Sequence, residues 1–477
     1  MSFVKTILPL IAVTLVALAS AFADPASNGL TNPTEPAKPE AATEKLDEQP
    51  DNKPDAESLF EQGRSALFKS EYAEAIKLLK QAVAADPQGR KTSYRLHLAR
   101  AYRYADQDDA SEKLLREILK RSPDHVEAGQ LLAEICYTHQ RWKDIVELLE
   151  PLLEYRHDYP TYHMLAEAEY NLDDYDKARE HFREAIRLNA KSAVDHYQLA
   201  NIYLAKNRFA RAVESYEAAL RLGLESPVLH FKLASAHFNL RNYFGKVSVI
   251  TVAAGKVGTI SDAWYLIEPV PGEKDVFRVA PTGSAIYQIA KAMEGGLADR
   301  VDIRMLRANT YLNARRYQQA YEFYVQLADA IAKEEEEDQA LFHFYFAESA
   351  FGLCKYDEYL GHLQIAITLN PEAYQSALVD AYLKVAEKYN QAAELEKYIE
   401  YVGRAVDESP ENVSLHLTLG YGYEENQQYA KAVQQWRMVL DLEPEHEQRT
   451  KLLNLIRKHS RPERRGQELP EKEGSSD

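Results

Sequence analysis

The stretch LFEQGRSALFKSEYAEAIKLLKQAVAADP, Leu59 to Pro87, holds two amphipathic patterns joined by a short polar turn. Apolar residues recur at three- and four-residue intervals on either side of the turn, the spacing that gathers them on one face of an α-helix. The pattern returns in HYQLANIYLAKNRFARAVESYEAALRL (His196 to Leu222) and in HLTLGYGYEENQQYAKAVQQWRMVLDLEP (His416 to Pro444). One such unit cannot bury its apolar face alone, so its recurrence predicts a stack of helical hairpins.

Setting the units in register puts small residues in two fixed slots. The first-helix slot holds Gly63, Ala99, Ala133, Ala166, Ala200, Ala234, Ala308, Ala347, Ala386 and Gly420. The second-helix slot holds Ala75, Ser111, Ala178, Ala212, Ala320 and Ala432, whereas Ile145, Lys246, Tyr359 and Tyr398 depart from it and imply loosened or re-angled pairs. Pro87, Pro123, Pro371, Pro410 and Pro444 follow second helices, where the missing N–H stops helical continuation. In these features the chain resembles the tetratricopeptide repeat family, whose unit of roughly 34 residues crosses two helices. The resemblance covers nearly everything from residue 57 to 444. It implies an all-α fold, a right-handed α–α superhelix (a solenoid) of about ten helix pairs.

One interval breaks the rhythm. The unit opening near Pro227 is followed by the next near Val301, which leaves room for one repeat and a few residues. Within it, WYLIEPVPGEKDVFRVAP (Trp264 to Pro281) has two β-favouring runs around Pro271-Gly272-Glu273-Lys274-Asp275, the composition of a β-hairpin. A helix from Ser284 to Met293 follows, ended by Gly295-Gly296. The interval reads as a repeat whose first helix is replaced by a β-hairpin; drift within an ordinary helical repeat is the alternative. The organisation is then a signal peptide (1–23), a Pro/Ala/Glu-rich linker (24–56), an N-terminal array (57–258), the degenerate repeat (259–298), a C-terminal array (299–444), a capping helix (445–459) and a tail (460–477).

At 477 residues the chain exceeds the roughly 250–300 that one core supports. A net charge of -17 repels phosphate backbones and excludes nucleic acid as a partner. Lys5, the apolar run Ile7 to Ala19 and Ala21-Phe22-Ala23 read as a secretory signal cut after Ala23. The expected address is periplasmic or secreted, with no transmembrane segment after cleavage; an uncleaved signal kept as an anchor is the competing reading. Cys136 and Cys354 lie in apolar helical patterns and read as two buried small hydrophobes without a bridge.

No zinc-helix, nucleophile-elbow or phosphate-loop pattern occurs, so the reading is a non-enzyme without cofactor or metal. Gly255-Lys256-Val257-Gly258-Thr259 lacks phosphate-cradling spacing and reads as a helix-ending loop. His196, His230, His343 and His416 share one place in their units. Packed helices are about 10 Å apart, too far for ligands near 2 Å from one ion, so these read as packing residues. The run Glu334 to Asp338 reads as a solvated helix start.

The resemblance implies that first helices line a concave face that grips ligands with side chains one turn apart. Three residues before each small residue stand Phe60, Leu96, Gln130, His163, Tyr197, Phe231, Met305, Phe344, Leu383 and Leu417; just after it stand Arg64, Arg100, Glu134, Glu167, Asn201, Ser235, Asn309, Glu348, Glu387 and Tyr421. Chaperone-binding members of the family clamp a terminal carboxylate with Lys and Asn. Here Asn201 and Asn309 match, but Tyr197 and Met305 replace the Lys, so an apolar segment is the expected ligand. The expected partner-binding set is Phe60, His163, Tyr197, Asn201, Phe231, Asn309 and Phe344, with Trp264 and Phe277 on the hairpin. Half-burying three rings removes roughly 300 Å² from water, about 7 kcal/mol, against an association cost of about 4–15 kcal/mol. Polar contacts or the hairpin must therefore contribute; rings that only pack between repeats are the alternative. The expected function is a non-catalytic envelope or periplasmic scaffold for protein partners. The second reading is a non-catalytic subunit positioning an enzyme partner, for example in polysaccharide export or envelope assembly.

Overall fold

The computed structural model describes residues 55–251, 264–270, 273 and 276–460. The expected signal peptide, the linker up to residue 54, the loop Gly255 to Thr259, most of the hairpin turn and residues 461–477 lie outside them. The chain divides into two compact units after Gly296.

In the first unit α1 (Ala56–Phe68) pairs with α2 (Tyr72–Ala84), α3 (Thr92–Tyr104) with α4 (Asp108–Arg121), and α5 (Val126–Thr138) with α6 (Trp142–Leu149). Next come α7 (Tyr159–Asn171) with α8 (Tyr175–Leu188) and α9 (Ala193–Ala205) with α10 (Phe209–Arg221). The sixth pair is α11 (Pro227–Asn239) with α12 (Ala285–Ala292). Between those two helices lie β1 (Ser248–Thr251), β2 (Trp264–Pro269) and β3 (Val276–Pro281).

In the second unit α13 (Val301–Asn313) pairs with α14 (Tyr317–Ile331) and α15 (Glu336–Gly352) with α16 (Tyr356–Leu369). A single turn, α17 (Pro371–Tyr374), leads to α18 (Ala377–Gln391), which pairs with α19 (Leu395–Glu408). Then α20 (Val413–Glu425) pairs with α21 (Tyr429–Leu442), and α22 (Arg449–His459) closes the unit. On α22, Leu452 is buried, His459 stacks on Tyr429 at 4.3 Å, and Thr450, Lys451 and Asn454 face solvent.

Each pair is closed by the same turn. One residue per turn, Ser70, Asp106, Gln140, Asp173, Asn207, Arg241, Arg315, Cys354, Ala393 or Gln427, takes a left-handed φ between 54° and 62°. The next N–H returns to the first helix, as Glu71 does to Ala66 at 2.9 Å. Cys354, expected to be a buried hydrophobe, is exposed because it occupies this turn; Cys136 is buried.

The crossings are settled by size. Gly63 faces Leu79, and a Cβ on that glycine would lie 2.7 Å from Leu79 Cγ. At the far end Gly420 faces the fully buried Trp436, 2.5 Å from where its Cβ would be. A small residue on the first helix thus admits a large one from the second, and close packing makes each such pair specific. Of the slots that depart from small residues, Ile145 and Tyr359 are buried and Tyr398 is partly buried.

The sixth pair corrects the reading of residues 259–298 as a repeat that lost its first helix. Ala75 N–H bonds to Glu71 O and Ala212 N–H to Arg208 O in ordinary pairs; here Ala285 N–H bonds to Asn242 O and Ile286 N–H to Tyr243 O, both at 3.0 Å. The hydrogen-bond ladder of one helix therefore runs across a break, and the sheet is spliced into the first turn of the second helix. The second small slot is the fully buried Ala285, not Lys246. Ser248–Thr251, with β-branched Val249, Ile250 and Thr251, forms a strand where the repeat register called for helix. The hairpin limbs β2 and β3 pair antiparallel, with Trp264 opposite Pro281 and Pro269 opposite Phe277, and a bulge between Leu266 and Glu268. β1 adds a third strand on the other side of β3, Ser248 opposite Val279.

Candidate functional site

The first helices of the first unit carry a run of buried polar side chains. Asp158 caps α7 by accepting from Thr161 N–H, and Ser192 caps α9 by accepting from Asp195 N–H. Capping places Asp195 in the first turn of α9, where the helix dipole favours negative charge. Asp195 is fully buried, and its Oδ1 lies 2.6 Å from His163 Nδ1 on α7. Burial opposes a charge on His163, but the hydrogen bond and charge of Asp195, with the charge of Glu167, outweigh it and hold the imidazole above its ordinary value. Tyr159 stacks on the imidazole at 5.6 Å.

One turn along α7, Glu167 is 6% exposed. Its carboxylate accepts from Gln198 Nε2 at 3.1 Å. Gln198 Oε1 accepts from Asn201 Nδ2 at 2.9 Å, and Asn201 Oδ1 accepts from Tyr216 O–H at 2.7 Å. Each member donates to the next, so the relay runs from Tyr216 to Glu167. Burial pushes the Glu167 carboxyl up, and the charge of Asp195 adds to this; the charge of His163 and the Gln198 bond pull the other way. Beside the relay, Lys232 on α11 donates to Tyr197 O–H at 3.0 Å. His230 Nδ1 meets Gln288 Oε1 at 2.6 Å, and Gln288 Nε2 donates to Thr282 O, which ties α11 to the returning end of the insertion.

The expected ring stripe is not a free surface. Phe60 is buried against Tyr94, with ring centres 4.7 Å apart, and against His97. Tyr197 is buried beside Tyr216, Phe231 is 3% exposed, and Met305 is buried. These side chains fill space between repeats, which is why first-helix faces that read as apolar ligand anchors are core instead. In the second unit Phe344 is partly buried and stacks on Tyr374 at 5.1 Å. Asn309 is buried and accepts from Tyr324 O–H, the same fifteen-residue link as Asn201 to Tyr216. Phe277 is partly buried in β3, and Trp264 opens β2. Of the expected set, His163 pairs with Asp195 and Asn201 belongs to the relay onto Glu167, and the two groups influence each other through charge.

Of the four histidines that share one place in their units, His230, His343 and His416 have separate local partners. His416 meets Gln435 Oε1 and Pro410 O, and His343 Nδ1 lies 3.0 Å from His362 Nδ1. Among the described residues no group of three His, Cys, Asp or Glu side chains is placed to hold a metal ion. No helix among them is long and apolar enough to cross a membrane.

Sequence reasoning missed Asp195, Gln198, Lys232 and Gln288. The available signal was charge at positions inside first helices that otherwise bury apolar residues, as with Asp195 and Lys232.

The fold and its small-for-large crossings define an α-solenoid of helical hairpins with a β insertion, the class that serves as a protein-interaction scaffold. Tetratricopeptide repeat models match residues 40–90, 160–192 and 197–243. The chain is a tetratricopeptide-repeat protein. No curated protein matches its sequence. Among solved structures it is similar to the MamA protein AMB-1, with 25% identity over 36% of this chain and 93% of that one and a TM-score of 0.33. The MamA protein MSR-1 is 23% identical over 35% of this chain and 95% of that one, with a TM-score of 0.32. YrrB, described as a tetratricopeptide-repeat protein with an unusual peptide-binding site, is 16% identical over 48% of this chain and 93% of its own, with a TM-score of 0.33.

Proposed function

We propose that the protein is an exported, non-catalytic scaffold of the bacterial envelope or periplasm that holds partner segments along the first-helix face of its first unit. The observation that carries this reading is the polar relay across α7 and α9. Buried donors and acceptors are retained on a face where the register calls for apolar residues, and such groups give direction and specificity to an extended segment laid across them. The export part rests on the sequence of residues 1–23, with Lys5, the apolar run to Ala19 and the small residues Ala21 and Ala23.

Two measurements test it. The chain recovered from the cell envelope should begin at Asp24; a chain that keeps Met1 and stays in the cytosol contradicts the export part. A photoreactive residue at Gln198, partly buried on the first-helix face, should capture one dominant protein, while the same residue at Glu184 on α8 should not. Equal capture from both positions contradicts the face assignment.

A further inference from the structure

We infer that the Glu167–Asp195 cluster takes a single cationic side chain, a lysine or arginine of an extended partner segment; this rests on the first-helix face being the partner-binding face. Asp195 is fully buried and Glu167 nearly so. A buried carboxylate is costly unless paired and hydrogen-bonded. His163 answers Asp195 through Oδ1 alone, and Asp195 Oδ2 is buried without a partner among the described residues. Among them no Lys or Arg pairs with either carboxylate, and the hydrogen bonds to the Glu167 side-chain oxygens both come from Gln198 Nε2.

A carboxylate offers about four lone-pair sites, and one amide group leaves most of those on Glu167 unused. His163 is hydrogen-bonded to Asp195, so no cationic side chain is hydrogen-bonded to the Glu167 carboxyl among the described residues. The direction of the relay strengthens this, since Tyr216, Asn201 and Gln198 each pass a donor toward Glu167 and none ends on an acceptor elsewhere. An anionic partner group would meet two carboxylates, and an apolar one would leave both unanswered. An ammonium or guanidinium supplies the missing donors to both carboxyl groups as charge-assisted hydrogen bonds.

The test uses a phage-displayed library of random twelve-residue peptides panned on the full chain. The wild-type pool is expected to fix a Lys or Arg at one position. A synthetic peptide from that pool should bind about tenfold more weakly once the basic residue is norleucine, the size of one charge-assisted hydrogen bond. Glu167→Gln should bring the same loss with the parent peptide and little further loss with the norleucine peptide. Asp195→Asn supplies a second, independent variant, and the norleucine arm needs no variant at all. Enriched peptides without a fixed basic position, or equal binding of parent and norleucine peptides to the wild type, overturn the inference and leave the binding face standing. A library that yields no enriched peptide overturns the binding face itself.

Discussion

The two units build the same bond into different neighbourhoods. In the first, Asn201 accepts from Tyr216 and passes a donor on through Gln198 to Glu167. In the second, Asn309 accepts from Tyr324, but the residue three positions before it is the fully buried Leu306 rather than a glutamine. The asparagine–tyrosine bond is therefore part of how a repeat closes on itself, and its recurrence says nothing about a ligand. What sets the first unit apart is the continuation of that bond across helices onto a buried carboxylate, Glu167.

The largest effect expected from breaking this difference is at Asp195. Asp195→Ala strands His163 in the interior and should destabilise the first unit by about 3–5 kcal/mol, measured by urea unfolding followed through amide exchange. A loss below about 1 kcal/mol would mean that the pair is not buried as described.

Next comes the paired substitution of the two tyrosines. Tyr324→Phe leaves Asn309 Oδ1 without its donor and should cost about 1–3 kcal/mol. Tyr216→Phe should cost more than its counterpart, because its donor polarises a chain of further bonds. Thermal melts in which the second unit suffers more would contradict the relay.

His163 in the first unit and His343 in the second should respond to pH in opposite directions. His163 sits above its ordinary value, so its contribution to stability is complete below pH 6.5 and is lost as pH rises through the raised value. In the second unit burial, aided by the charge of His362, pushes His343 down to about 4. Its contribution is complete above pH 6.5 and is lost as pH falls toward 4. Amide exchange against pH should show the two trends, with His163→Gln flattening the first and His343→Gln the second.

The smallest expected difference is in the turns. Asn207 tolerates a left-handed φ through its short polar side chain, whereas Ala393 has no such help. Ala393→Gly should stabilise the second unit by up to about 1 kcal/mol, with little change from Asn207→Gly. A destabilised Ala393→Gly melt would show that the turn is not strained.

The repeats were legible because each crossing needs a small residue opposite a large one, and both lie at fixed spacing, as Gly63 with Leu79 and Gly420 with Trp436. The hairpin limbs were legible from β-branched and aromatic runs around a Pro-Gly turn. The splice was not. A helical ladder asks only that Asn242 O and Ala285 N–H meet in space, and nothing local in a sequence records that two residues 43 positions apart share one turn. The site was half legible for the same reason. Family register led to His163 and Asn201, but their partners Asp195 and Tyr216 stand on other helices, 32 and 15 residues away. The aromatic stripe misled because a ring on a first helix reads the same whether it faces a groove or fills the gap to the next repeat.

The most direct test of the central claim, that the first unit's relay face reads a partner and the second unit's matching face does not, is amide exchange on the full chain with and without a peptide enriched on it. Slowed exchange confined to α7, α9 and α11 is the result expected. Protection centred on α13 and α15, with α7 and α9 unchanged, would contradict the account.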